Sequence, residues 1–193
     1  MAKSATPSPW AVPAIGTPPV ATAAPEPVRP RATRPGAPTP RGDFAPRTDQ
    51  PYAGPATFVW LGAHGGAGVS ALAAASGQGV ALTTTWPAPA LGWPARVAVV
   101  CRTDARGMTA AGQLLAQWAG HRAGDVEVVA LVAVADSPAR LPKALRLRLL
   151  ERSGSVPAVV RVPWIASWRE NPGVADPAAT KAAAQVAALT GDT

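Results

Sequence analysis

Cysteine is almost absent from this sequence. The single Cys101 lies in an apolar run, so no intrachain disulfide and no cysteine-rich metal site can form. Histidine is as scarce: His64 and His121 are the only two, and they do not stand at metal-ligand spacing. Two Phe and one Tyr leave tryptophan, with seven residues, as the main aromatic. No run of about 18 uninterrupted apolar residues occurs, which argues against a transmembrane helix. The first residues lack the long apolar stretch of a signal peptide. These absences fit a reducing, cytoplasmic setting and leave peripheral attachment to a membrane open.

Proline is abundant, and unevenly so: of 23, 14 precede Thr57. Residues 1–55 therefore read as a disordered Pro/Arg-rich tail. Proline removes backbone donors and favours extended conformations, and large apolar residues are too few to offset the entropy of ordering. Arg29, Arg31, Arg34, Arg41 and Arg47 make its middle basic. Net charge is +7, spread over tail and remainder with no dense basic block. Such a balance permits a protein partner, an anionic membrane or nucleic acid, and does not choose among them.

Residues 56–193 read as one α/β domain. Thr57 to Leu61, Val80 to Thr85, Arg96 to Cys101, Val126 to Val134 and Pro157 to Val162 are short apolar runs of the kind that form buried parallel strands. Helical spacing falls between them, over Val69 to Ala75, Met108 to Trp118 and Arg140 to Arg152. Asp176-Pro177 opens an Ala-rich helix that ends near Leu189. Alternating strands and helices predict a three-layer, doubly wound, mostly parallel sheet of about five strands.

The most informative segment is Gly62-Ala63-His64-Gly65-Gly66-Ala67-Gly68-Val69-Ser70, which ends a predicted strand and opens a predicted helix. Free backbone amides and a helix N-terminus favour an anion at such a turn, and glycines let the backbone approach it. A working phosphate loop closes on Gly-Lys-Ser/Thr, whose lysine neutralises phosphate and whose hydroxyl holds magnesium. Here Val69 stands at the lysine position, before Ser70.

The segment resembles the deviant Walker A loop of the MinD/ParA family, including its TadZ/CpaE-like pilus-assembly relatives. His64 matches that family's signature lysine, Gly65, Gly66 and Gly68 its glycines, Val69 its second lysine and Ser70 its magnesium-binding hydroxyl. Trp60 to Ser70, Arg102 to Gly107, Ala135 to Pro138 and Arg161 to Trp164 also resemble a family of high-GC Gram-positive bacterial proteins linked to conjugative or mobile elements. The resemblance implies a P-loop-like fold over roughly residues 57–170, with weakly held ATP and Mg²⁺ at His64, Gly65, Gly66, Ala67, Gly68, Val69 and Ser70. Asp104 and Asp136 each follow a buried strand. Each is either a substitute metal-side carboxylate or a cap for the following turn. Pro163 and Trp164 match the region that holds the purine in MinD-like proteins, while Trp164 and Trp168 as cover for the sheet edge is the alternative.

No Walker B aspartate is evident, and the stretch between Thr85 and Arg96 is too short for the elements that family carries there. A lost charged hydrogen bond weakens binding by about 1.5–3 kcal/mol, roughly ten- to a hundredfold. Hydrolysis suffers more, because fixed cations stabilise transition-state charge. The leading reading is thus a non-catalytic accessory or scaffold protein of a conjugation or secretion assembly, capable of forming a homodimer, with no catalytic residue assigned. A weak nucleotide-dependent switch and a basic nucleic-acid- or membrane-associated module are the alternatives. Arg140, Lys143, Arg146, Arg148 and Arg152 supply a basic helix for the last.

Overall fold

A computed structural model describes residues 46–191. The expected tail lies, over residues 1–45, outside the described residues. The first strand, β1 (Val59–Gly62), is fully buried, as an apolar run covered on both faces should be. It leads to helix α1 (Val69–Ser76) and strand β2 (Val80–Thr83). Strand β3 (Arg96–Arg102), helix α2 (Ala105–Ala119), strand β4 (Glu127–Val134), helix α3 (Lys143–Ser153), strand β5 (Val159–Val162) and helix α4 (Pro177–Leu189) follow.

All five strands are parallel, in the order β2-β1-β3-β4-β5. Alternate side chains of each strand feed two separate cores. Phe58, Trp60, Ala98, Val100 and Val132 face α1 and α4. Val59, Leu61, Val99, Leu131 and Cys101 face α2 and α3. The result is the three-layer, doubly wound architecture that the alternating pattern predicts. Each fully buried aliphatic or aromatic side chain contributes about 1.5–3 kcal/mol. Small residues meet between α1 and α4: alanines of α1 pack in the same core as Ala179, Ala182 and Ala183 of α4.

Capping matches the sequence at two helices. Asp104 caps α2, its Oδ1 accepting from Gly107 N at 2.6 Å, and Asp176 caps α4 through Ala178 N at 2.8 Å. Helix α1 starts at Gly68 with no side-chain cap. At the end of α2, Gly120 keeps a negative φ and His121 takes the left-handed conformation, with φ 56°.

One boundary differs from the sequence reading. Residues 46–55, assigned to the tail, lie against the domain. Trp86 N donates to Pro46 O and Thr48 N to Trp86 O, at 2.8 and 2.9 Å. Trp93 Nε1 donates to Gln50 O at 2.7 Å, and the Tyr52 and Trp93 rings lie 4.9 Å apart. The reason is topological. The crossover from β2 to β3 carries only a short 3-10 turn, Pro89–Leu91, where a full helix would cover the sheet. Trp86, buried and donating to Gln117 of α2, fills that gap, and residues 46–52 strap it down. Arg47 is part of the strap: its guanidinium lies against Gly124, in the turn before β4, and does not belong to a free basic arm.

Candidate functional site

Strand order decides where a ligand crevice can open. The crossover from β1 leads outward to β2, whereas the crossover from β3 leads the opposite way to β4. The switch point therefore falls between β1 and β3, at their carboxyl ends, where doubly wound sheets bind ligands. The β1–α1 turn and the residues after β3 meet there.

The turn keeps the shape of an anion cradle in part. Gly66 and Gly68 hold φ of 81° and 101°, and a residue with a Cβ is strained at either. The first turn of α1 leaves its amides without side-chain acceptors. Ser70 is exposed beside it. Val69 is not: at 4% exposure its side chain lies in the α1/α4 core, so it offers the turn its backbone alone.

His64 is held by backbone at both ring nitrogens. Its Nε2 lies 3.2 Å from Arg102 N and its Nδ1 2.8 Å from Gly65 O. An amide N–H can only donate, so Nε2 is the acceptor and the proton sits on Nδ1, which donates to Gly65 O. Both ring nitrogens are thus spent on backbone, and the imidazole ties the turn to β3.

Arg102 is the residue that sequence reasoning missed. Its Nε donates to Gly66 O at 3.2 Å and its Nη1 to Ala135 O at 2.9 Å. The guanidinium spans the switch point from the β1–α1 turn to the end of β4. Its Nη2 lies about 4.0 Å from where a Cβ on Gly68 would stand. A cation is therefore present at the turn, supplied by the neighbouring strand and not by the helix. The sequence signals were a charged residue closing an otherwise apolar run and opening the Arg102 to Gly107 segment, and their meaning depends on β3 lying next to β1.

The carboxylates gather next to Arg102. Asp104 serves as the α2 cap through its Oδ1. Asp136 Oδ1 accepts from Thr103 Oγ1 at 2.8 Å, joining the ends of β3 and β4. Asp136 is thus a loop-to-loop tie, not a helix cap. Three adjoining hollows run along this edge. One of about 280 Å³ lies between α1's start, Thr83, Arg102 and Trp168. One of about 420 Å³ is bounded by Arg102, Asp104, Asp136, Pro163, Trp164 and Arg169. The third, about 510 Å³, lies under α3, with Ala133, Leu145 and Leu149 in its walls. The residues singled out in the sequence do converge on one edge, with Arg102 dividing the turn from Asp104, Asp136, Pro163 and Trp164. Among the described residues, no group of three or more His, Cys, Asp or Glu side chains gathers as a metal cage.

The tryptophans part company. Trp168 is buried, and its Nε1 donates to Val174 O at 3.0 Å, so it is core cover. Trp164 is half-buried at the rim, with the Arg169 guanidinium 5.9 Å from its ring centroid.

Cys101 sits one residue before Arg102, fully buried. Burial first, and the nearby negative charge of Asp104 second, push its thiol up from 9.0 to about 12. The folded protein therefore holds the neutral thiol. The associated stability is fully present below pH 9.0 and is lost as pH rises toward about 12, because the unfolded thiol ionises first. At pH 8 a thiol reagent should label native protein only at the rate of unfolding, with full labelling in denaturant. Rapid labelling of native protein would show that this strand end is open.

Neither the curated proteins nor the solved structures include a match to this chain. Residues 56–187 match a family of unknown function, DUF6668, and the chain belongs to that family.

Proposed function

We propose that the domain is a non-catalytic, P-loop-like accessory or scaffold module acting in the cytoplasm. One observation carries this reading: the protein's own His64 and Arg102 bridge the switch point, where a nucleotide's phosphates would otherwise enter. The β1–α1 turn is used as a structural joint between β1, β3 and β4. The burial of Val69 supports the same reading, since the cation of a working loop projects from that position. A triphosphate with Mg²⁺ fits the residues poorly. Ser70 offers one hydroxyl, and Asp104 and Asp136 lie across Arg102 from it. The resemblance to MinD/ParA-type and mobile-element proteins favours a role inside a larger conjugation or secretion assembly.

A second reading, a weak binder of phosphoryl groups, is favoured by the free amides at the start of α1 together with Arg102. One phosphate-sized anion fits there without a metal.

Titration of the whole chain with ATP, with and without Mg²⁺, separates the two. The scaffold reading expects no turnover and no saturation at millimolar ATP. Micromolar binding that falls about ten- to a hundredfold in both Ser70→Ala and Arg102→Ala would establish the second reading. Unassisted ATP turnover would overturn both.

A further inference from the structure

Helix α3 is the least embedded of the four α-helices. Only Leu149 is buried along it. Leu145 is half-buried and lines the hollow beneath the helix, and Arg152 is laid over Gly112 of α2. The opposite face is free and is not simply polar. Leu147 and Leu150 are 50% and 68% exposed, three residues apart on one side of the helix. Lys143 and Arg146 share that side and Arg140 stands just before the helix, all exposed, whereas Arg148, also exposed, is turned away from it toward the buried side. Glu151, the only acid in α3, stands four residues after Leu147 and borders the same side, which stays net basic with Lys143, Arg146 and Arg140.

We infer that this face of α3 docks on an anionic lipid surface. Two exposed leucines set among cations match a helix lying in the plane of a membrane interface, with its apolar side chains in the acyl boundary and its basic groups at the headgroups. Two alternatives fit less well. A second copy would bring the same cations together, and two leucines fall far short of the roughly 800 Å² per partner of a stable interface. Nucleic acid would take the charge and leave the leucines in water. Among the described residues no helix is long and apolar enough to cross a membrane, so contact through α3 is attachment at the surface.

The test is co-sedimentation of the whole chain with vesicles of phosphatidylcholine alone or with about a third phosphatidylglycerol. Binding to the anionic vesicles alone is expected, fading as salt rises. The double substitution Leu147→Glu with Leu150→Glu should weaken it at least about tenfold. Lys143→Glu with Arg146→Glu should do the same. Leu91→Glu, at an exposed leucine elsewhere, should bind as the parent does. Circular dichroism checks that each variant is folded, which the exposure of both leucines favours. Undiminished binding by both α3 variants would assign the attachment to the arginines of residues 1–45 and overturn the inference. So would absence of vesicle binding, a dimer that the leucine variant dissolves, or duplex DNA binding lost in the same variants without vesicle binding.

Discussion

Gly107→Ala is expected to destabilise the protein by about 2–3 kcal/mol, more than its single added methyl suggests. Gly107 lies in the first turn of α2, buried against the end of β3. A Cβ there would overlap the carbonyl oxygen of Arg102 and stand 3.0 Å from both Arg102 N and His64 Nε2. Two of those three neighbours are backbone atoms at the end of β3, which is paired to β4, and cannot swing aside as a side chain would. Either α2 shifts outward, weakening the cap from Asp104 to Gly107 N, or β3 withdraws from His64. Urea denaturation gives the loss in stability, and the ¹⁵N shifts of the imidazole report whether Nε2 still accepts from Arg102 N. Gly65→Ala is the control. Nothing lies within 4 Å of a Cβ there, and it should stay within about 0.5 kcal/mol of the parent. Equal, small effects at the two glycines would mean that the contact between α2 and the switch point is loose.

Val69→Lys carries the second large effect. In the MinD/ParA family a lysine at the matching position gives the loop its charge, so the substitution looks like a repair. Here the site is in the α1/α4 core. The Val69 Cγ1 approaches Gly62 to within 3.4 Å of where a Cβ would lie on that residue. A lysine must carry its ammonium out past the turn or give up its charge in an apolar surrounding, and Arg102 already stands at the turn's mouth. A loss of about 2–4 kcal/mol is expected, read as a lowered urea midpoint, with no gain in ATP affinity by calorimetry. An unchanged midpoint with new ATP binding would show that α1 is oriented as in a working phosphate loop. The scaffold reading would then give way to that of a disabled enzyme.

The contrast between these two positions shows what the sequence could reveal. The five strands and four helices follow from apolar runs, helical spacing and the Asp104 and Asp176 caps, because those signals are local. The glycine-rich turn was legible for the same reason. Strand order was not, since no residue states which strand lies beside β1. With the order unknown, Arg102 was one basic residue among many, and the Thr103–Asp136 tie could not be foreseen. The side chain of Val69 was judged by the family position it matches, while its burial depends on how α1 packs against α4. Residues 46–55 were misassigned because proline content outweighed Tyr52, whose partner Trp93 lies across a helix-poor crossover.

That strap has a practical corollary. The family match begins at Ala56, yet the sheet's helix-poor side is finished by residues 46–52, upstream of it. A chain begun at Ala56 would retain every strand and helix while baring the indole of Trp93 and the backbone flanking Trp86. The lid of this domain is therefore drawn from residues ahead of the family match.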